Sequence, residues 1–152
     1  MPTPPTILEI ATSYFRDQRW PFEVSAERPV LRIAFMQGEQ SWQCYAEARE
    51  AQGRFLFYSV APVVVPEELR AAAAELVTRA NYGLAVGNFE LDLDDGEVRF
   101  KTSIDVTGDR LTYALVKQLV TINLRVLLHY LPGLTALLAG TPAREAIARL
   151  EG

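Results

Sequence analysis

The spacing of apolar residues in the first half of the chain predicts one helix followed by three strands. From residue 7 to about residue 18, apolar positions recur every three or four residues, and Thr6 with Glu9 forms a capping box at the start. The runs VLRIAFM and SWQCYAEA then alternate apolar and polar residues, and RFLFYSV is apolar on both faces. Because the connectors between these runs are short, we expect an antiparallel meander.

A second helix, a hairpin and a long helix fill the rest of the chain. Pro66 and the glutamates after it suit the start of the second helix, and Gly83 suits its end. Asp109 is expected to cap the long helix, which is expected to end before Pro132 and to be followed by short helices. The predicted order is therefore α-β-β-β-α-β-β-α plus short C-terminal helices, an α+β fold built on an antiparallel sheet.

The acidic segment at residues 92–95 has three readings: a calcium loop, a pair of catalytic carboxylates, or the tip of a hairpin. Gly96 occupies the third ligand position of a calcium loop, and no Glu follows at the required spacing, so that motif fails. A two-residue type I′ turn at Asp95-Gly96 instead pairs apolar residues with apolar ones within a hairpin at residues 89–102. The predicted partners are Asp94 with Glu97, Leu93 with Val98, Asp92 with Arg99, Leu91 with Phe100, and Glu90 with Lys101. The predicted dry face holds Phe89, Leu91, Leu93, Val98 and Phe100.

Two helices carry more apolar surface than one sheet can cover, which predicts a homodimer. The second helix has a stripe of small apolar residues, and the long helix has two apolar faces where a surface helix normally has one. The second face of the long helix has two candidate partners, the short C-terminal helices or a second subunit. The candidate interface residues are Leu69, Ala73, Leu76 and Ala80 on the second helix, and Val116, Val120 and Leu124 on the long one.

Three single residues invite a chemical role, and each has a simpler structural explanation. Asn123 lies within an apolar arc of the long helix, so it needs a hydrogen-bond partner if it is buried. His129 is the one histidine, and we expect it to be packed or capped rather than catalytic. Cys44 is the one cysteine, and we expect it to be a small inert side chain in a strand.

The composition of the chain mainly excludes classes of protein and of binding partner. The chain has 152 residues, which suits one domain over residues 1–152, of which we expect residues 1–5 to be flexible. With a net charge of −4 and scattered basic residues, it is not expected to bind nucleic acid. The lone cysteine and the absence of a secretory signal favour a cytoplasmic location, and no uncharged apolar stretch is long enough to predict a membrane span. We expect no metal, no cofactor and no catalytic residues.

Several segments resemble the YbjN family, in particular its cyanobacterial and plastid branch. The segments are YAEARE, FYSVAPVVVPEE, TRANYGLAVGNFELDLDDGEVRFKTSIDVTGD and YLPGL. The resemblance implies a fold similar to that of type III secretion chaperones, which are typically homodimers that bind extended segments of client proteins. It also implies a sensory-transduction regulator without a known enzymatic mechanism. The resemblance carries over no catalytic or ligand-binding residue.

Two classes of function follow from these observations. The first is a non-enzymatic regulatory or chaperone-like protein-interaction domain, homodimeric and binding an unidentified client or regulatory protein. The alternative is a small-molecule-binding domain or a small enzyme that uses carboxylate acid–base chemistry, because carboxylates paired in space are invisible in one sequence. The absence of a phosphate loop, a metal-spaced His or Cys set and a nucleophile elbow favours the first class.

Overall fold

A six-stranded antiparallel sheet packs against a layer of four helices in the computed structural model, which describes residues 2–152. The elements are α1 (Ile7–Gln18), β1 (Phe22–Val24), β2 (Val30–Gln37), β3 (Gln40–Arg49), β4 (Arg54–Val64), α2 (Arg70–Asn81), β5 (Asn88–Leu91), β6 (Glu97–Asp105), α3 (Tyr113–Leu138) and α4 (Ala143–Glu151). The strand order β1-β2-β3-β4-β6-β5 leaves β1 and β5 at the two edges. The predicted α+β class is confirmed, with one additional short strand, β1, and one C-terminal helix instead of several.

The start of α1 is held both by its own residues and by the sheet. The predicted capping box is present, because the Thr6 hydroxyl accepts from the Glu9 amide and the Glu9 carboxylate accepts from the Thr6 amide, each at 3.1 Å. Glu50, which follows β3, accepts two more hydrogen bonds, from the amides of Ile7 (3.2 Å) and Leu8 (2.9 Å). These bonds satisfy first-turn donors that a helix cannot satisfy internally and fix α1 on the end of the sheet.

A buried amide fixes the long helix α3 on the centre of the sheet. Asn123 is fully buried, and its Nδ2 donates to the carbonyls of Phe57 on β4 (2.9 Å) and Phe100 on β6 (3.0 Å). The same nitrogen lies 3.3 Å from the Thr102 hydroxyl, which in turn donates to the Leu119 carbonyl of α3 (2.9 Å). The predicted need for a partner is thereby confirmed, and the partners belong to two neighbouring strands.

Both ends of α3 differ from the prediction. Thr112 rather than Asp109 caps the first turn, because the Thr112 hydroxyl accepts from the Leu115 amide at 3.2 Å. The helix also runs through Pro132 to Leu138. A proline inside a helix costs about 3 kcal/mol, but the side chains of Leu134 and Leu137, which follow it, are buried, and their packing offsets that cost.

Length and hydropathy alone would allow α3 to cross a membrane, and in residues 2–152 it is the one helix of which this is true. In this fold α3 is instead the central helix, in contact with α1, α2, α4, β4 and β6. Its apolar composition follows from those contacts.

The hairpin of β5 and β6 forms with the predicted alternation of faces but in a different register. Leu91 pairs with Val98 and Phe89 with Phe100, a shift of two residues that keeps each side chain on its predicted face of the sheet. Asp92 then closes the ladder by donating its amide to the Glu97 carbonyl at 2.9 Å. The turn therefore has four residues, 93–96, and the predicted two-residue turn at Asp95-Gly96 is wrong.

The aspartates of the turn are occupied by backbone amides, which explains the longer loop. The Asp92 carboxylate accepts from the Asp94 amide (2.8 Å), and the Asp95 carboxylate accepts from the Glu97 amide (2.9 Å). Such side-chain turns compete with a tight type I′ turn. The turn also carries Leu93 away from the ladder, so Leu93 is 61% exposed rather than part of the dry face.

Gly96 is expected to tolerate no side chain, because two constraints meet there. Its φ is +82°, and a Cβ would overlap the Val65 carbonyl oxygen, while the Val65 amide donates to the Gly96 carbonyl at 2.9 Å. Gly96→Ala should lower the free energy of unfolding by about 3 kcal/mol or more in urea titrations. The control is Gly38→Ala, where φ is +61° and the space is open; it should cost about 1 kcal/mol. Equal losses would contradict the steric part of the explanation.

Removing the Asn123 amide should destabilise the fold far more than removing an exposed amide from the same helix. Asn123→Leu keeps the number and branching of the side-chain heavy atoms but leaves the bonded oxygens without their donor, so we expect a loss of about 3 kcal/mol in urea titrations. Gln118→Leu, at an exposed position of α3, is the control and should change stability by under about 0.5 kcal/mol. Combining Asn123→Leu with Thr102→Val should cost clearly less than the sum of the two. Additive losses would show that the hydroxyl and the amide act independently.

Candidate functional site

A side chain of α2 covers the outer main-chain groups of Phe89 on the edge strand β5. Asn81 accepts from the Phe89 amide at 2.6 Å and donates to the Phe89 carbonyl at 3.2 Å. In an antiparallel pair, every second residue bonds to the neighbouring strand. Asp92 bonds to β6, so Phe89, an odd number of residues away, turns its N–H and C=O groups away from β6. The amide of Asn81 therefore stands where a neighbouring strand would bond, which protects this edge.

The opposite edge strand, β1, has no such cover. Ser25 donates its amide to the Val30 carbonyl at 2.9 Å, so in the alternating ladder Glu23 also faces β2 while Phe22 and Val24 turn their N–H and C=O groups outward. Within residues 2–152, no hydrogen bond reaches these outward groups. Val24 is also 57% exposed. The outer edge of β1 is thus a row of free main-chain donors and acceptors beside a partly exposed apolar surface.

Sequence reasoning missed this edge because the strand is only three residues long. Phe22 and Val24 do alternate with Glu23, but three positions are too few for periodicity to stand out. The alternation before the turn-like SAERP is the signal that was present.

The face of the sheet opposite the helices is covered by charged side chains. The guanidinium carbon of Arg99 lies 4.3 Å from the centroid of the Tyr58 ring, and Glu90 binds Arg99 (2.8 Å) and Lys101 (3.2 Å). Burial favours the neutral form of Glu90, but the hydrogen bonds from the two cations outweigh it and hold its pKa below the usual value. Burial raises the pKa of Tyr58, which is only 8% exposed. This face is a solvated network rather than an apolar patch.

Six of the seven predicted interface residues are buried within a single chain. Leu69 is half-buried, whereas Ala73, Leu76 and Ala80 of α2, together with Val116, Val120 and Leu124 of α3, are buried. The contacts of α2 with β5, α3 and α4, and of α3 with α1, α2, α4 and the sheet, account for this. These residues therefore offer no contact surface as the chain is folded, and homodimerisation stays a prediction that needs a different surface.

Two concave surfaces could receive a small ligand, and they differ in size and lining. The apolar one, between α2, α3, β5 and β6, is about 20 Å³, with walls that include Leu76, Phe89 and Leu131. A shallow cleft of about 640 Å³ runs past the start of α1 and contains Glu50 and Asp109. Glu50 is already bonded to the amides of α1, so it is not a free acid–base group.

The single cysteine and the single histidine lie apart, in different environments. Cys44 is fully buried, and burial raises the pKa of its thiol to about 12, although contacts with Ser59 and Trp42 partly oppose that rise. The Trp42 Nε1 lies near this sulfur without a hydrogen-bond geometry. His129 is exposed and packs edge-on against Tyr130, with ring centroids 5.0 Å apart. Among residues 2–152, no three His, Cys, Asp or Glu side chains are grouped as a metal site.

Comparison with known proteins gives one family and one fold. The family model of YbjN, described as "Putative bacterial sensory transduction regulator", matches residues 9–136. The crystal structure of YbjN from E. coli, described as "a putative transcription regulator", superposes with a TM-score of 0.57 at 16% sequence identity. That match covers 79% of this chain and 84% of the other, and at such identity it shows a shared fold. No curated protein sequence matches significantly.

The protected edge can be tested by removing its cover. Asn81→Ala removes two hydrogen bonds to β5, so we expect a loss of about 1–3 kcal/mol in the free energy of unfolding and faster hydrogen exchange at the Phe89 amide. Thr78→Ala is the control, because its exposed hydroxyl bonds only to the Ala74 carbonyl of its own helix. Unchanged exchange at Phe89 would show that Asn81 does not protect the strand.

Proposed function

The chain belongs to the YbjN family, and from that premise we propose that it is a non-enzymatic regulatory domain that binds an extended segment of a partner protein along the outer edge of β1. The observation that carries the proposal is the contrast between the two sheet edges. Asn81 occupies the main-chain groups of Phe89 on β5, whereas those of Phe22 and Val24 on β1 are free. Strand addition to an exposed edge is an established mode of peptide recognition.

The surroundings of β1 define the kind of segment that would fit. Phe22 and Val24 share the helix side of the sheet with Leu31 and Ile33, their cross-strand partners. Glu23 lies on the opposite side, with a side chain that is 72% exposed. A bound strand would therefore place apolar residues on the helix side and polar or basic residues opposite Glu23. Main-chain bonds would supply affinity, and these alternate positions would supply selectivity.

A second copy of the chain fits this edge less well. If two β1 strands paired about a two-fold axis with Phe22 opposite Val24, Glu23 would lie directly opposite its own equivalent. Like charges directly opposite each other are destabilising in a sheet. The ion pair of each Glu23 with Arg32 of its own chain would offset part of this repulsion.

Small-molecule binding or carboxylate catalysis has weaker support from the observed geometry. The apolar cavity between α2, α3, β5 and β6 has room for about one water molecule, and Glu50, one of the two carboxylates of the cleft beside α1, is bonded to the amides of that helix. The cysteine is a poor nucleophile because a thiol with a pKa of about 12 is almost entirely protonated near neutral pH. A protein-binding role uses features that the fold leaves free.

The test is selection of peptides from a phage-displayed random twelve-residue library on the immobilised full chain. We expect selected peptides with alternating apolar residues, and their binding should be lost in Val24→Pro. Proline removes the outward N–H of Val24 without breaking a bond to β2, and an edge strand tolerates it. Fluorescence anisotropy with the selected peptides measures the loss, which should be at least tenfold in Kd.

Val24→Ala separates the main-chain contribution from the side-chain contribution. This variant keeps the outward N–H, so it should retain most of the affinity, while both variants should melt within a few degrees of the unchanged protein. Selected peptides that bind Val24→Pro as tightly as the unchanged protein would contradict strand addition at β1. Peptides that instead shift the NMR signals of Phe89 and its neighbours would place the site at the other edge.

A further inference from the structure

The C-terminal helix α4 lies in a groove formed by α2 and the second half of α3, which we call the α4 groove. Ala143, Ala146 and Ile147 are the buried residues of α4, and Leu150 is half-buried. Arg144, Glu145, Ala148 and Arg149 are exposed on its other side. The helix is therefore amphipathic, with an inward face of two small residues and two larger aliphatic ones.

The side chain of Leu150 on α4 packs directly on Gly133 of α3. A Cβ at Gly133 would lie 2.6 Å from the Leu150 Cδ1, so the end of the leucine side chain would have to shift. Gly133 is buried although it lies in the middle of a helix, where glycine is unfavourable. The close approach gives this glycine a packing role.

Few hydrogen bonds attach α4 to the rest of the chain. Within residues 2–152, the one side-chain hydrogen bond between α4 and the rest of the chain runs from the Tyr130 hydroxyl to Glu151, at 3.3 Å. The ion pair of Arg149 with Glu145 is internal to the helix. A nine-residue helix is marginal on its own, so α4 is helical because the groove holds it.

The α4 helix also lies outside the segment that the family model matches. The YbjN model matches residues 9–136, and α4 begins at residue 143. Irregular residues lie between α3 and α4, including Gly140 with φ +107°. The match to the family model thus ends before α4, the helix that fills the groove, begins.

We propose that α4 is a displaceable cover, and that the α4 groove binds an amphipathic helix of a partner protein carrying the same inward pattern. That pattern is a small residue at the first position, a small and a large aliphatic residue at the fourth and fifth, and a large aliphatic residue at the eighth, as in Ala143, Ala146, Ile147 and Leu150. The occupant seen in the structure defines this chemistry. Helix-in-groove recognition through such anchors is a recurrent binding mode.

Competition from α4 within the same chain determines which partner can bind. A tethered helix acts at an effective concentration that reaches the millimolar range for a short linker. A second copy would offer only an identical α4 and would gain no contact by exchange, so at micromolar concentration the intrachain contact prevails. Because α4 occupies the groove, only a small fraction of molecules has an open groove, and the apparent affinity for a partner helix is reduced by that fraction. A partner helix must therefore bind the groove more tightly than α4 does.

The α4 groove is distinct from the β1 edge. It lies beside β5, at the other end of the strand order, and it recognises side chains of a helix rather than the main chain of a strand. The test below does not involve β1, so either proposal can fail without the other.

The experiment restores α4 in trans after displacing it in cis. Ala146→Glu in the full chain places a charge at the buried face of α4, and a fluorescein-labelled peptide of residues 139–152 with the natural sequence is then added. We expect Ala146→Glu to bind this peptide saturably in fluorescence anisotropy, at least tenfold more tightly than the unchanged protein does. Ala148→Glu is the matched control, since the same substitution at an exposed position should leave the groove covered.

Sedimentation and thermal melting show whether each variant is folded and whether it is monomeric. A cooperatively folded Ala146→Glu that does not bind the peptide overturns the proposal, and so does equal binding by Ala148→Glu. If Ala146→Glu sediments as a larger species than the unchanged protein, the groove closes on a second copy and the partner-helix proposal fails. Ile147→Ser is a milder displacement for use if Ala146→Glu unfolds. If both variants unfold, α4 is required for folding and is not a displaceable cover.

Discussion

The side-chain amide of Asn123 holds together the two layers of this fold. It is buried in the middle of α3 and donates to main-chain carbonyls of both β4 and β6, the pair of strands at the centre of the core. If α3 slid by one turn, this donor would face apolar side chains and lose its bonds, at a cost of several kcal/mol in a site without water. The amide therefore fixes the position of α3 along the sheet. Because α1, α2 and α4 all pack on α3, their positions follow from it.

Because α3 and the central strands are fixed, the parts of the fold that differ in solvent access are the two edge strands. The α2 helix is held beside β5, where Asn81 repeats the same chemistry by bonding to the N–H and C=O of Phe89. Within residues 2–152, no hydrogen bond reaches the outer groups of β1. The two edges of the sheet thus differ, with one covered at Phe89 and the other open. An open edge is a hazard for aggregation unless it is short, and β1 has three residues. Its shortness limits non-specific pairing but leaves enough donors and acceptors for a specific segment.

The spacing of apolar residues was sufficient to predict the helices and strands, but not the side-chain contacts that each of them makes. The strands and helices follow from spacing, and Asn123 could be singled out because a polar residue in an apolar arc must find a partner. The turn at residues 93–96 could not be predicted, because the aspartate side chains there bind backbone amides, which no pattern of apolar residues records. Pro132 is tolerated because of burial that only the folded chain supplies. The apolar faces of α2 and α3 were identified correctly, but a sequence does not tell whether a face is covered by the same chain or by another. Here α4 and the sheet cover Ala73 and Val120, and the available surface lies on a strand too short to detect.

The two proposed binding surfaces differ in what limits their selectivity. At β1 the main chain of the partner does most of the bonding, so many sequences satisfy it and only alternate side chains discriminate. At the α4 groove a partner helix would present small residues at its first and fourth positions and large aliphatic ones at its fifth and eighth, so the volume of each inward side chain would discriminate. A domain that recognises a permissive strand on one edge and a restricted helix beside the other can join two different partners through one rigid core. The rigidity comes from the buried amide network between α3 and the sheet, and the choice of partner comes from the parts of the fold that this network leaves free.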